Sequence, residues 1–200
     1  DVRTPLTAMI ANAESLLVNQ YTDEQEIRDG LGSIRDQGNK LSQLIGDLIE
    51  LSKLQLDEPI LNKSLQPVEE VIGSSIAHFK LSYPERRIVA NIGSEVGPVS
   101  IDEVLIERVL CNLLENAARA SDESTPIVIN VKNAEKMIEF SIIDSGTGIS
   151  DSGSVPGDQD KRRGLGLLIV RAILEVHKGT ITLSNRIDSQ GAIARFTLPI

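Results

Sequence analysis

Aromatic side chains are scarce in this 200-residue chain: three Phe, two Tyr and no Trp. A core exists all the same, because apolar residues make up 40% of the sequence, so it has to be built from Leu, Ile and Val. Cysteine is scarcer still. The single thiol, Cys111, excludes an internal disulfide framework and fits a reducing compartment. Long apolar runs are also missing. A spanning helix needs about 20 consecutive apolar residues, and the best run here, Leu165 to Val170, stops at Arg171. No signal-peptide pattern precedes it, and the chain opens at Asp1 without an initiator Met. It therefore reads as a cytoplasmic fragment or processed piece, reaching a membrane only through segments outside this chain. Basic charge is the last deficit. Twenty Lys and Arg against 29 Asp and Glu leave a formal charge of −9. A field of that sign repels phosphate backbones and argues against nucleic acid as a partner; a polyanionic ligand must be held by a local site.

The hydrophobic period changes along the chain. Val2, Leu6, Met9, Ala13 and Leu16 or Leu17 recur at spacings of three and four, the period of one helix face. Polar residues from Asn19 to Asp23 interrupt this. Periodicity resumes at Ile27, Leu31, Ile34, Gly38, Leu41, Ile45 and Leu48, an alternating four-three spacing typical of a coiled-coil seam, with Gly38 as a thin spot. Thr22 or Asp23 is suited to cap the second helix. Two helices alone bury too little surface to form a domain, so the hairpin is expected to double into a four-helix bundle in a homodimer. The competing expectation is a hairpin packed on its own C-terminal domain.

From Pro67 the pattern is mixed. Val68 to Leu81 reads as an amphipathic helix with Pro67 at its first position. Ile88–Ile92 and Val99–Ile101 are short strands, and Asp102 or Glu103 opens a long helix to Ala120. Pro126–Lys132 and Lys136–Asp144 alternate as paired strands. A Gly-, Ser- and Asp-rich loop runs from Ser145 to Arg163, followed by a helix over Gly166–Lys178 and strands over Thr180–Asn185 and Ala192–Leu198. The expected class is α+β: a helical hairpin domain over 1–60, then a sandwich domain over 67–200 with one mainly antiparallel sheet and helices on one face.

Three constellations in the second region carry chemistry. Asn112 and Asn116 sit four apart on the long helix and share a face, with Arg119 extending the polar row. Asn is a mediocre helix former, and its neutral carbonyl oxygen can ligate Mg2+ without adding negative charge beside a polyphosphate. The bland alternative is a pair of exposed amides. Asp144-Ser145-Gly146-Thr147-Gly148 follows an apolar strand: the glycines let backbone approach a flat ligand, and the carboxylate can accept from an exocyclic amine. Its alternative is a plain turn. Gly164-Leu165-Gly166-Leu167 opens a helix and follows Lys161, Arg162 and Arg163, offering free N–H groups and positive charge to phosphate. Its alternative is a solvated charge run. Neither Walker A nor Rossmann spacing occurs around these glycines.

Taken in order, these motifs resemble the dimerisation and catalytic domains of bacterial sensor histidine kinases. NLLENA at Asn112–Ala117 resembles that family's N box, DSGTGI at Asp144–Ile149 its G1 box and GLGL at Gly164–Leu167 its G2 box. DVRTPL at Asp1–Leu6 is similar to the segment directly after the phospho-accepting histidine. ERVLCNLLENA and GLGLLIVRAILEVHKGTITLSNR look closest to potassium-responsive sensor kinases. The resemblance implies a GHKL-type sandwich that binds ATP and Mg2+, autophosphorylates a histidine just before Asp1, passes the phosphoryl group to the aspartate of a response-regulator receiver domain, and has a phosphatase activity. It implies that Asn116, with Asn112 alongside, ligates Mg2+ and that Arg119 reaches the phosphates. Asp144 would bind the adenine amine, with Gly146, Gly148 and Ile149 in the pocket wall. Arg163, Gly164, Leu165, Gly166 and Leu167 would serve the lid and the phosphates. Asp1 matches the carboxylate that orients the acceptor imidazole, and Thr4 the residue that positions water one turn later. Pro5 would kink that helix.

The chain departs from the family in three places. The acceptor histidine, which the family would place just before Asp1, is missing from the sequence, and His78 and His177 match no H-box position; His177, near a helix end, reads as structural, where a cation is favoured. No aromatic residue stands between Gly148 and Gly164, where the family usually carries a Phe, and Ala120 occupies a position often held by Tyr. The missing histidine and the aromatic-free lid support one alternative, a catalytically degenerate relative acting as a partner-binding module; a second, an ATP-driven clamp of the gyrase or chaperone type, shares the sandwich fold, but the Asp1–Leu6 motif and the coiled-coil hairpin argue against it.

Overall fold

The computed structural model describes residues 3–18, 24–54, 60–149, 164–187 and 189–200. The polar interruption with its caps Thr22 and Asp23, the residue Asp1, and the loop stretch 150–163 with Arg163 lie outside them. The chain divides into two compact units, Asp1–Lys53 and Leu54–Ile200. Among the described residues, no helix is long and apolar enough to cross a membrane.

The first unit holds α1 (Arg3–Val18) and most of α2 (Glu24–Leu54). Their contacts set an antiparallel register. Leu16 lies against Gly30, Asn12 Nδ2 donates to Ser33 Oγ at 2.8 Å, and Met9 lies against Gly38. Gly38 is thus less a gap in the seam than the space that Met9 occupies: a Cβ there would sit 3.7 Å from Met9 Cε. At Gly30 the fit is tighter, with a Cβ at 3.0 Å from Leu16 Cδ2. Pro5 is the third residue of α1. The described part of the helix begins two residues before it, at Arg3. Much of the seam stays open: Leu31, Ile45 and Leu48 are 55%, 47% and 50% exposed.

The second unit runs β1 (Ser64–Gln66), α3 (Val68–Ser82), β2 (Ile88–Ile92), β3 (Val99–Ile101), α4 (Glu103–Ala120), β4 (Ile127–Ala134), β5 (Met137–Ile143), α5 (Gly164–Val176), β6 (Thr180–Asn185) and β7 (Ala192–Pro199). Five strands form one sheet in the order β2-β4-β5-β7-β6. All its pairings are antiparallel except β2 with β4, which are parallel because the chain returns between them through α4. Period-two alternation puts Ile127, Ile129, Val131, Ile138, Phe140, Ile142, Phe196 and Leu198 on the buried face. All three helices contribute to the core against them: Val71 and Phe79 from α3, Ile106, Leu110 and Leu113 from α4, Ile169 and Ile173 from α5.

Among the described residues the four aromatics are used in pairs. Phe140 and Phe196 are direct cross-strand partners with rings stacked at 4.6 Å, and Phe79 stacks on Tyr83 at 4.8 Å.

Two local expectations need correction. A second sheet exists, in which β1 pairs antiparallel with β3; three residues reading Ser-Leu-Gln carry no alternation that sequence reasoning can detect. Pro67 is the N-cap of α3 rather than its first residue, extended at φ −61° and ψ 128°, with its carbonyl accepting from Glu70 and Val71.

Candidate functional site: one helix face between two glycine loops

Helix α4 organises the site. Its N-terminus is fixed by Asp102, whose Oδ1 accepts from Leu105 N–H and whose Oδ2 accepts from Asn62 N–H. The Asp102 N–H donates to His177 Nε2 at 3.1 Å, and His177 Nδ1–H donates to the Ile173 carbonyl at 2.7 Å. Both ring nitrogens are therefore used by the neutral imidazole. His177 is structural, as expected, but it is a buried neutral residue and not a cation on a helix end. Burial is the largest cause holding its pKa below the ordinary histidine value.

With Ile106, Val109, Leu110, Leu113, Leu114 and Ala117 turned into the core, Asn112 and Asn116 lie half-buried on one flank and Arg119 stands exposed at the end. Asn112 Nδ2 donates to the Arg108 carbonyl, which fixes the amide on its own helix. Its Oδ1 faces α5: a Cβ built on Gly166 would lie 2.6 Å from that oxygen. The side-chain oxygen and the first turn of α5 are thus in close approach, which a residue with a Cβ at 166 would force apart. One turn along, Asn116 Oδ1 accepts from Arg119 Nη2 at 3.1 Å, and Arg119 also pairs with Glu115 at 3.6 Å. Both contacts are solvent-exposed, so they are weak and easily exchanged for a ligand.

The DSGTG loop meets the other end of the same helix. A Cβ on Gly146 would fall 2.1 Å from the carbonyl oxygen of Ala120, so only glycine fits there. Asp144 is buried, and its Oδ1 accepts from the N–H groups of Gly146 at 2.8 Å and Ala192 at 3.1 Å. Gly148 has φ +77°, the left-handed region, and Ile149 after it exchanges two hydrogen bonds with the Asn185 side chain. Arg186 Nη1 donates to the Asp144 carbonyl and to Ser145 Oγ. Asn185, Arg186 and Ala192 were not found by sequence reasoning. Asn185 ends β6, Arg186 follows it and Ala192 opens β7, all some forty residues after the loop they brace, and no local spacing links them to it.

The three constellations therefore converge on one helix segment. Gly166 touches it at Asn112 and Gly146 touches it at Ala120, eight residues or about 12 Å apart along the axis. Among the described residues α5 runs from Gly164, two residues earlier than expected, so Gly164, Leu165, Gly166 and Leu167 lie in its first described turn. Gly166 serves this close approach of the two helices. Thr4 is exposed on α1 in the other unit.

Comparison with known proteins identifies the family. Residues 1–57 match the His Kinase A (phospho-acceptor) domain, and residues 101–200 match the family described as histidine kinase-, DNA gyrase B-, and HSP90-like ATPase. The phospho-acceptor match separates the chain from clamp-type ATPases, and relatives named as kinases do not favour a binding-only module. The whole chain aligns with sensor protein KdpD of Clostridium acetobutylicum at 32% identity and of Escherichia coli at 31%, spanning 23% of each relative. Among solved structures, Acinetobacter baumannii histidine kinase AdeS is similar over 98% of this chain and 95% of its own, at 28% identity and a TM-score of 0.78. A structure of histidine kinase ThkA in complex with response regulator protein TrrA shares the fold, with a TM-score of 0.77 at 24% identity over 99% of this chain and 58% of its own. Helical hairpin, sandwich domain and ordered motifs together place this chain in the sensor histidine kinase family.

Proposed function

We propose that this chain is the catalytic core of a two-component sensor kinase, which binds ATP along α4 and transfers its γ-phosphoryl group to a histidine just before Asp1, and from there to a receiver aspartate. The observation that carries the reading is the convergence of Asn112 with Gly166, and of Ala120 with Gly146, on one helix face. The donor set fits Mg2+: two neutral amide oxygens, open to solvent on one side, leave room for phosphate oxygens and water, which a small hard cation retains. Asn116 and Asn112 would hold it, and when bound it supplies charge neutralisation at the phosphates.

The chain's own groups do the rest. Arg119 leaves Asn116 and Glu115 to meet the phosphates. N–H groups of Gly164, Leu165, Gly166 and Leu167 face them from the positive end of α5, with Arg163 adding charge that a −9 chain otherwise lacks. Asp144 spends Oδ1 on the N–H groups of Gly146 in its own loop and Ala192 on β7, so Oδ2 is the atom offered to the adenine amine, between walls formed by Gly146, Gly148 and Ile149. Asp1 orients the acceptor imidazole so that it attacks as a neutral base, and Thr4 positions water for the reverse hydrolysis. Such a transfer rests on positioning and electrostatics more than on covalent help.

The open seam of α2 supports a homodimer, and the family supports a response-regulator partner and a cytoplasmic location for this part of the protein. To test the reading, the protein extended through the position before Asp1 is incubated with γ-labelled ATP and Mg2+. An acid-labile, base-stable label that chases to a receiver domain is expected, and its loss in Asn116→Ala. No label, or an acid-stable one, would contradict it.

A further inference from the structure

Helix α4 has a second polar flank that the nucleotide reading does not use. Glu107 and Cys111 are four residues apart and turn toward α3, which packs alongside. There His78 Nδ1 lies 2.9 Å from Glu107 Oε1, and Cys111 Sγ lies 3.6 Å from the Ser75 carbonyl. One donor atom from each of His78, Glu107 and Cys111 falls within 4.8 Å of the other two. Counting at 3.6 residues per turn, Glu107 and Asn112 are about 140° apart around the helix, so this cluster and the amide face are separate.

We propose that His78, Glu107 and Cys111 form a binding site for a borderline divalent cation, Zn2+ foremost, bridging α3 and α4. The donor set is the argument. Imidazole nitrogen with thiolate sulfur selects Zn2+ over Mg2+ or Ca2+, which require oxygen. One carboxylate and one thiolate cancel the charge of the ion. Three protein ligands leave the fourth tetrahedral position to water, as in open zinc sites.

The geometry needs little change. Tetrahedral bonds of about 2.0–2.3 Å put ligand atoms roughly 3.3–3.8 Å apart, so a 4.8 Å cluster has to contract by about 1 Å. His78, whose side chain is 66% exposed, is free to rotate by that amount. The cation sits between His78 Nδ1 and Glu107, with the neutral imidazole carrying its one proton on Nε2, and the Cys111 proton is released to solvent.

Cobalt titration of the tag-free chain tests the site, because Co2+ occupies zinc sites and reports thiolate ligation by a near-ultraviolet charge-transfer band. Micromolar Co2+ is expected to raise this band at one ion per chain, and Zn2+ to bleach it. Cys111→Ser is expected to abolish the band, and His78→Ala to weaken Co2+ binding at least about tenfold. Asn116→Ala is expected to leave it unchanged, which separates this site from the nucleotide face. Circular dichroism of each variant checks that the helices persist. Absence of the band in the parent chain, its survival in Cys111→Ser, or full affinity in His78→Ala would overturn the proposal.

Discussion

Two glycine-to-alanine substitutions with opposite expected signs probe how the DSGTG loop is seated. At Gly146 a new Cβ lies 2.1 Å from the Ala120 carbonyl oxygen and 2.6 Å from its carbon, backbone atoms that cannot swing aside. Either the loop or the end of α4 has to move, and overpacking of this kind costs about 1–3 kcal/mol. For a unit the size of Leu54–Ile200 that corresponds to a fall in Tm of about 3–10 °C. At Gly73, in the interior of α3, a Cβ meets nothing within 4 Å, and alanine restricts the unfolded chain. A gain of about 0.5–1 kcal/mol is expected there. Thermal unfolding by circular dichroism reads both. Moving the loop also withdraws Gly146 N–H from Asp144 Oδ1, so Gly146→Ala is expected to lose at least tenfold in Mg-ATP affinity while Gly73→Ala loses none. Parent-like stability and affinity in Gly146→Ala would refute the close packing of loop and helix.

Two further outcomes follow from the same contacts. A second proton on His177 has to enter at Nε2, where it meets the Asp102 N–H, and the folded state binds that proton more weakly than the unfolded one. The stabilisation is therefore complete above pH 6.5 and is lost as pH falls below it, at no more than about 1.4 kcal/mol per pH unit; His177→Gln should flatten that part of a urea-unfolding profile, and an unchanged slope would contradict the assignment. On the hairpin, Ile45→Asp with Leu48→Asp places charge on side chains half-exposed in a single chain. Light scattering is expected to show the parent as a dimer and this variant as a monomer with its helices intact; a dimeric variant would exclude the seam as the interface.

How much of this was legible in the sequence follows from which signals are local. The helix of Asn112 and Asn116 was readable, with its start at Asp102 or Glu103, because the whole apolar stripe lies within one window of the chain; that Asp102 is the cap is seen in the structure. The strands Ile88–Ile92, Val99–Ile101 and Thr180–Asn185 were readable from their apolar runs and flanking breakers. Ser64–Gln66 was not, because its pairing with Val99–Ile101 is decided by tertiary contact and not by its own composition. His177 misled for a related reason. Its place after a helix suggested a cation, whereas its partners Asp102 and Ile173, one of them 75 residues away, make it a neutral bridge. The glycines carried a signal of presence without one of purpose: Gly166 marks a close approach to Asn112, and only the packed helices reveal that.

The central claim is that the amide face of α4 and the two glycine-bearing segments bound one magnesium-dependent nucleotide site. Isothermal titration of ATP, with and without Mg2+, into the parent chain and Asn116→Ala tests it most directly. One ATP per parent chain, bound far more tightly when Mg2+ is present, is expected, with that Mg2+ dependence gone in the variant at unchanged helical content. Equal affinity in the two proteins, or binding indifferent to Mg2+ in both, would contradict it.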